Sequence, residues 1–501
     1  MLPCTLQQLT EWLSVPLSGG QPGCGDRLVH GVALDSREVE PGMLFVALRG
    51  AHVDGHDYAA DAAARGAVAM LGQRPVEALP TLLVDDPLNA LTTLGRRCRA
   101  GSSAQVVALT GSNGKTTVKE LLAAMLVQRG PTLATAGNRN NHLGLPQTLC
   151  RLRAEHRFAV LEMGANHAGE IGELAAIAEP HVGIVTNAGP AHLEGFGSLR
   201  GVATAKGELF SALPAAGAAV INTDDTYADL WHELARHVER RVTFGTHSVA
   251  DLRYRGAGPS LELWLAERWR ATPTPLLGAH NAANAAAAAA AATLCGVSAD
   301  EIAQALAAAS APPGRLQLRH GRTCRWVIDD SYNANPASLQ AGLEVLCELA
   351  SAPGGVDGTG RRGETDQAGR TGEAGQPWLL LGTMAELGEQ TADWHRRAGE
   401  QARAAGVAHL WCVGEIAAAA ADAFGAGGRV FADVASLAQA CQDEVPADAV
   451  VLIKGSRAAA MERLVAVLAD EPAGESTSMG SRPGARMGPV ARTESGIGEE
   501  S

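Results

Sequence analysis

The sequence predicts an α/β protein of three successive domains: a small α/β domain at residues 1–100, a central parallel-sheet domain at 101–312 built around a P-loop, and a doubly wound domain at 313–470. Three observations carry that expectation. The chain has 501 residues, room for three domains at about 150 residues each. Short apolar runs alternate with helical stretches from Val106 to Ile453, the pattern of parallel sheets with helices packed on them. Pro312-Pro313-Gly314 breaks that alternation once, between the second and third series.

Composition narrows the classes of function. The chain is 46% hydrophobic and 19% charged, so it can bury sizeable cores and is not a disordered protein. Aromatic residues are only 4%, which leaves Ala, Leu and Val to fill those cores. A formal net charge of −13 argues against a nonspecific nucleic-acid or anionic-membrane binder. Nine cysteines, none at C-x-x-C spacing, read as reduced thiols. The start, Met1-Leu2-Pro3-Cys4-Thr5, shows no signal peptide. The longest nonpolar stretch, Ala282 to Leu294, is nearly all alanine and contains Asn284. It buries too little apolar area to hold a helix in lipid. A cytoplasmic protein without membrane insertion is expected.

Each domain is read from its own elements. In the first, Val32 to Leu34 and Met43 to Leu48 are strand-like, and Asp57 to Arg65 is helical. Ala67 to Leu71 and Thr81 to Val84 are apolar runs, and Pro87 to Arg99 is a helix with proline near its start. The second has strands Val106 to Leu109, Phe158 to Leu161, Val182 to Val185 and Ala218 to Ile221, and closes on helices 279–295 and 299–310. The third has strands Trp326 to Ile328, Trp378 to Leu381, His409 to Val413, Arg429 to Phe431 and Ala449 to Ile453, each followed by a helical stretch. Residues 351–377 and 471–501 carry almost no large apolar side chain. They are expected to be a disordered insertion and a disordered tail.

The strongest chemical signal is Gly111-Ser112-Asn113-Gly114-Lys115-Thr116-Thr117, between the strand ending at Leu109 and a helix from Val118 to Arg129. Glycines let backbone amides converge on an anion, the helix start adds positive potential, Lys115 reaches terminal phosphates and Thr116 can hold Mg²⁺. Leu109 replaces the first glycine of the usual pattern, and a glycine-rich turn capping a helix is the plainer alternative. Glu162, at the end of a neighbouring strand, could reach the nucleotide's metal, and His192, shortly after the strand Val182 to Val185, could bind a second cation.

The remaining polar positions are individually ambiguous. Lys206, in Ala205-Lys206-Gly207-Glu208, reads by itself as a solvated charge. Asn281 and Asn284 share a helix face, either capping it or reading an adenine edge. Arg315 could place a guanidinium on a phosphate from a neighbouring domain. Asp329 to Pro336 follows a strand, as a ligand loop or as a helix cap. Lys454-Gly455-Ser456-Arg457 either captures a carboxylate or is a solvated turn.

Taken in order, GSNGKTT, ATAGNRNNHLGLP, LEMGANHAGEIGEL, VTNAGPAHLEGFGS, AKGELF, GAHNAANAAAA, PGRL, DDSYNANP, MAELG and IKGSRAAAMERL resemble the Mur ligase family of peptidoglycan synthesis over nearly the whole chain. The resemblance implies a UDP-substrate domain, a central P-loop ATPase domain and a C-terminal Rossmann-like domain closing over ATP. It implies that Gly111 to Thr117 bind the nucleotide, with Lys115 on its phosphates. Thr116, Glu162, His192 and a carbamylated Lys206 would hold two Mg²⁺ ions. Asn281 and Asn284 would meet adenine, Arg315 the γ-phosphate, and Asp330 and Asn333 the nucleotide from the third domain. Lys115, Lys206, His192 and Arg315 become the catalytic set. Ser36 and Arg37 resemble the uridine-side segment; Thr135, Asn138, Asn140 and Asn141 resemble the muramoyl-substrate loop. Lys454, Ser456 and Arg457 are further substrate candidates. Thr383 stands where relatives usually carry Asp before M-A-E-L-G.

Within the family, DDSYNANP and MAELG, with no D-N-P-R-like motif, point to the dipeptide-adding branch rather than to ligases of a single amino acid. The implied reaction activates a UDP-N-acetylmuramoyl-tripeptide carboxylate as an acyl phosphate for attack by D-alanyl-D-alanine. These small molecules, and no nucleic acid, are the expected partners of a monomer. A P-loop protein that only hydrolyses ATP would not need Glu162, His192, Lys206 and Arg315 together.

Overall fold

The computed structural model describes residues 3–50, 52–190, 193–351 and 374–470. The interior of the expected insertion, 352–373, and the expected tail, 471–501, lie outside the described residues. At the insertion's edges the chain belongs to the helix and the strand that flank it. Ser351 closes the helix Pro336–Ser351, Gly375 N–H donates to Ala350 O at 2.8 Å, and Pro377 already begins a strand.

The first domain is a five-stranded sheet ordered Leu17–Ser18, Thr81–Leu83, Ala69–Gly72, Met43–Val46, Gly31–Ala33. Only the Leu17–Ser18 edge runs antiparallel to its neighbour. Leu6, Leu9, Leu44, Val46, Leu71, Leu91 and Leu94 fill one face. The helix Leu6–Leu13 is absent from the expected elements, although its signal is local. Thr5 and Gln8 cap each other's backbone N–H groups just before an apolar run. The helical stretch expected at 57–65 divides into a 3₁₀ turn, Gly55–Tyr58, and a short helix, Ala59–Ala64.

The central sheet is ordered Arg240–Gly245, Ala218–Asn222, Val182–Val185, Gln105–Thr110, Phe158–Glu162, Thr132–Ala134, all parallel. Gln105–Thr110 has chain-successive strands on both sides. Its carboxyl end is therefore the point where the winding reverses, the place where open α/β sheets leave a crevice. The helix that follows spans Lys115–Val127, starting three residues earlier than expected, so Lys115 is its first residue. The alanine run forms the helix Ala279–Leu294, buried on nearly all sides. Small side chains let its backbone approach both the sheet and the helix Lys115–Val127.

Beyond Arg240–Gly245 the sheet continues through Leu252–Arg255 into an antiparallel ribbon, Glu262–Leu265 and Arg268–Ala271. The expected elements lack it. Its turn residues, Ala266 and Glu267, have φ of 48° and 62°, the hairpin geometry that Asn and Gly usually announce. With neither present, the Trp264–Trp269 cross-strand pair was the remaining cue.

The third sheet is ordered Gln317–His320, Trp326–Asp330, Val450–Lys454, Pro377–Leu381, His409–Val413, Gly428–Phe431. It is parallel except at the Gln317–His320 edge. Three adjacent strands thus deliver residues 331–335, 455–457 and 382–387 at one end of the sheet. No helix among the described residues is long and apolar enough to cross a membrane. All nine cysteines are free thiols.

Candidate active site

The carboxyl ends of the central and third sheets face each other across a cleft of about 690 Å³. Ser112 to Thr117 form one wall; Gly314, Arg315, Asp330, Tyr332 to Asn335 and Lys454 form the other. The sequence places these groups up to several hundred residues apart, and the two strand-end loops bring them together.

The glycine-rich loop is held by its own backbone and by residues 186–189. Asn113 N–H donates to Asn187 Oδ1 at 3.0 Å, and Asn113 O accepts from Thr186 Oγ1 at 2.6 Å and Asn187 Nδ2 at 3.1 Å. Ser112 Oγ donates to Gly189 O at 3.0 Å. Glycine is required at two points: a Cβ on Gly111 would lie 1.9 Å from Thr186 Oγ1, and one on Gly114 2.1 Å from Asn284 Oδ1. Both glycines have positive φ. Lys115 Nζ donates to Gly111 O at 2.6 Å and Ser112 O at 3.3 Å. Burial pulls its pKa below the usual lysine value and Arg315 adds to this, while Glu162 opposes.

Behind the loop, Thr116 Oγ1 donates to Glu162 Oε2 at 3.0 Å and Asn140 Nδ2 donates to Glu162 Oε1 at 2.7 Å. Thr116 and Glu162 are hard oxygen donors in contact, a set that suits Mg²⁺. Thr135 does not line the cleft. Its hydroxyl accepts from Glu162 N–H at 3.0 Å, and its carbonyl accepts from buried Lys119 at 2.9 Å. It positions the carboxylate strand from below. Asn138, Asn140 and Asn141 do line the cleft, and Asn141 Oδ1 also caps the helix Gly144–Leu149, accepting from Gly144 N–H at 3.0 Å.

Lys206 is not a solvated charge. It is 2% exposed on the helix Leu199–Ser211, donates to Ala165 O at 3.3 Å and lies 5.0 Å from the centre of the Phe196 ring. Burial, reinforced by Lys115, lowers its pKa to about 7, against the pull of Glu170 and Glu208. His192 lies outside the described residues.

Asn281 and Asn284 line the cleft as a linked pair. Asn284 Nδ2 donates to Asn281 Oδ1 at 2.9 Å, and Asn281 Nδ2 donates to Leu277 O at 2.8 Å. On the opposite wall Arg315 stacks over Tyr332 at 4.3 Å, and Arg457 approaches the same ring at 5.8 Å. Asp330 is ion-paired with Lys454, which also donates to Asn333 O at 3.0 Å. Burial raises the Asp330 pKa, with Lys454 opposing. Lys454 therefore serves Asp330 and Asn333 rather than a solvated turn. Ser456 and Arg457 do not line the cleft, and Ser456 N–H donates to Thr383 O at 2.9 Å.

Ser36 and Arg37 also stand apart from the cleft. Arg37 is exposed and paired with Asp35 at 2.6 Å. Next to them Glu38 accepts from Arg139 Nη2 at 2.5 Å, joining the first domain to the Asn138–Asn141 loop.

The motif reading passed over Lys119 and Asn187, and it held Asn335 only as part of a ligand loop or helix cap; Asn335 does cap the helix, accepting from Ser338 N–H at 2.8 Å. Asn335 Nδ2 donates to Asn113 Oδ1 at 2.8 Å, across the cleft. No local pattern marks such a pair, because its members are 222 residues apart.

Three family profiles match the chain: Mur ligase family, catalytic domain, at residues 28–86; Mur ligase middle domain at 109–292; and Mur ligase, glutamate ligase domain, at 364–457. The curated UDP-N-acetylmuramoyl-tripeptide–D-alanyl-D-alanine ligase of Escherichia coli (strain K12) is 40% identical over 478 residues, covering 93% of this chain and 99% of its own. A crystal structure of MurF from Acinetobacter baumannii superimposes with a TM-score of 0.79 at 32% identity, covering 93% of this chain and 98% of its own. MurF ligase from Thermotoga maritima in complex with ADP has a TM-score of 0.72 at 27% identity, covering 88% and 97%.

Proposed function

The chain belongs to the Mur ligase family, and from that premise we propose how its cleft works: it is an ATP-dependent ligase that joins D-alanyl-D-alanine to UDP-N-acetylmuramoyl-tripeptide. The single observation that carries this reading is the facing of the Lys115 loop and Arg315 across one cleft. That arrangement grips a triphosphate from both sides.

A peptide carboxylate acylates poorly. One of its oxygens attacks the γ-phosphorus of ATP, ADP departs, and an acyl phosphate is left. The dipeptide amine then adds to the acyl carbon. The tetrahedral intermediate loses the amine proton and expels phosphate, which leaves the new amide. The protein's part is to align anions and offset their charge. In this reading the amides of residues 111–117 and the Lys115 amine hold the phosphates. Arg315, held flat by Tyr332, faces the γ-phosphate. Asn281 and Asn284 meet the adenine, and the Asp330–Asn333 loop covers the nucleotide from the third domain.

Thr116 and Glu162 would hold one Mg²⁺; Lys206 as its carbamate, with His192, would complete a second site. When bound, these ions offset charge on the transferring phosphoryl group. Lys206 suits carbamylation because a lysine with a pKa of about 7 is about half uncharged, nucleophilic amine at neutral pH, where an ordinary lysine is almost wholly protonated. The amine adds to carbon dioxide and loses a proton, and the product is an anionic oxygen ligand. Ser36, Arg37 and the Asn138–Asn141 loop form the muramoyl side. The nine free thiols fit the cytoplasm, and a cleft completed within one chain fits a monomer.

Phosphate release from ATP is measured with the UDP-muramoyl-tripeptide and either D-alanyl-D-alanine or single amino acids. The dipeptide alone is expected to sustain one phosphate per product. Release indifferent to the dipeptide would refute the assignment.

A further inference from the structure

We propose that Asn335 is a positioning residue that couples docking of the third domain to the nucleotide loop, and so keeps the acyl phosphate from being lost to water. This rests on the ligase reading above and deepens it.

The two halves of the Asn335 amide do different work. Its Oδ1 accepts from Ser338 N–H at 2.8 Å, capping the helix Pro336–Ser351. Its Nδ2 donates to Asn113 Oδ1 at 2.8 Å. The cap locks the side chain to a 16-residue helix that packs on the third domain's core. The amide donor therefore moves with that domain as a rigid body.

Its target is equally fixed. The Asn113 backbone N–H and carbonyl are both taken by Thr186 and Asn187 of the central domain. The Asn113 side chain is left to reach across the cleft. One amide–amide bond thus ties the phosphate loop to the helix on the opposite wall. Ala337 and Ser338, in the first turn of that helix, line the same cleft.

An acyl phosphate has two fates. The dipeptide amine can add to the acyl carbon and expel phosphate, giving the amide. Water can add instead and expel phosphate, returning the tripeptide carboxylate with net hydrolysis of ATP to ADP and phosphate. Exclusion of water depends on the third domain staying docked. A single amide–amide bond in competition with water shifts such a docking equilibrium about fivefold.

The test counts phosphate released per amide formed. Asn335→Ser keeps a capping oxygen but is too short to reach Asn113. It is expected to raise the ratio from one to about two or more, and to lower kcat/KM for the dipeptide about fivefold. Its thermal midpoint should stay within a degree or two of wild type, which separates this effect from loss of the helix cap. In an Asn113→Ala background the same substitution should change the ratio no further. A ratio that stays at one in Asn335→Ser, or an undiminished effect in the Asn113→Ala background, overturns the proposal. Wild-type protein that shows no dipeptide-dependent phosphate release would instead overturn the ligase reading.

Discussion

The two walls of the cleft are built on different principles. The Lys115 wall is a loop of seven consecutive residues whose backbone is fixed by neighbours one strand away. The third-domain wall is assembled from residues 314–315, 330, 332–335, 385–387 and 454. It holds one buried ion pair, Lys454–Asp330. The first wall presents backbone donors and the Lys115 amine, and the adjacent strand's loop at 186–189 braces it. The second is charged side chains that fold and desolvate together. Changes in the first wall should therefore act on the chemistry more than on the fold, while stability should be sensitive to single charges in the second.

The lysines sharpen this contrast. The chain has four, Lys115, Lys119, Lys206 and Lys454, and meets every other need for a permanent cation with arginine. All four stand in the cleft or directly beneath it. An ammonium is compact and can lose its proton, and a guanidinium does neither. The largest effect is expected at Lys115. Lys115→Met should lower kcat at least about a thousandfold, because a preorganised cation at the transferring phosphate is lost. Folding should be little affected, since burial already disfavours that charge. Steady-state phosphate release and a melting curve check both halves, and a variant within tenfold of wild type would break the comparison at its strongest point.

Lys206 comes next. Lys206→Ala should lower turnover about a hundredfold, as loss of a metal-supporting group does, and short carboxylic acids should partly restore it. The carbamate signal from ¹³C-labelled bicarbonate should grow as pH rises through about 7. The stability sign runs the other way from a salt bridge. Between pH 7 and the unfolded value near 10.5, the unfolded chain binds the extra proton, so stability rises with pH. In buffer depleted of carbon dioxide, Lys206→Met should raise the thermal midpoint at pH 7, and the gain should shrink toward pH 10. A midpoint that falls at pH 7 would show that the buried amine is compensated in some other way.

What could be read from the residues follows the same division. The strand–loop–helix at 105–127 announces itself, because a phosphate loop needs its glycines and lysine consecutively. Most parallel strands were visible as apolar runs, since both of their faces are covered; Thr132–Ala134 and Arg240–Gly245 were missed, the first for its shortness and the second for its two exposed arginines. Lys206 was invisible as a buried group: its neighbours in sequence are ordinary helix residues, and its burial comes from Phe196 and Ala165. Only family resemblance singled it out. The antiparallel ribbon was hidden by a turn without glycine. Asn335 was legible as a helix cap, but its pairing with Asn113, like the Lys454–Asp330 pair, was opaque for one reason, that partners 222 and 124 residues away leave no periodicity.

The ion pair acts on stability rather than on turnover, and it gives the clearest sign. Lys454 is 1% exposed and Asp330 is buried beside it. Lys454→Met removes the cation and leaves an uncompensated buried carboxylate, which costs about 3–5 kcal/mol. Asp330 responds by taking up a proton: burial already raises its pKa, and the opposing pull of Lys454 is gone. Its folded pKa then lies further above the unfolded value of 3.8, so the folded state binds the extra proton. Stability must fall as pH rises through the folded pKa. The deficit of Lys454→Met against wild type should be small at pH 4 and full at neutral pH. Adding Asp330→Asn removes the charge that causes it, so the double variant should recover most of the loss and lose the pH dependence. Urea unfolding at several pH values reads all three outcomes. A deficit that is flat with pH would mean that the third-domain wall is held by packing around Lys454 rather than by its charge.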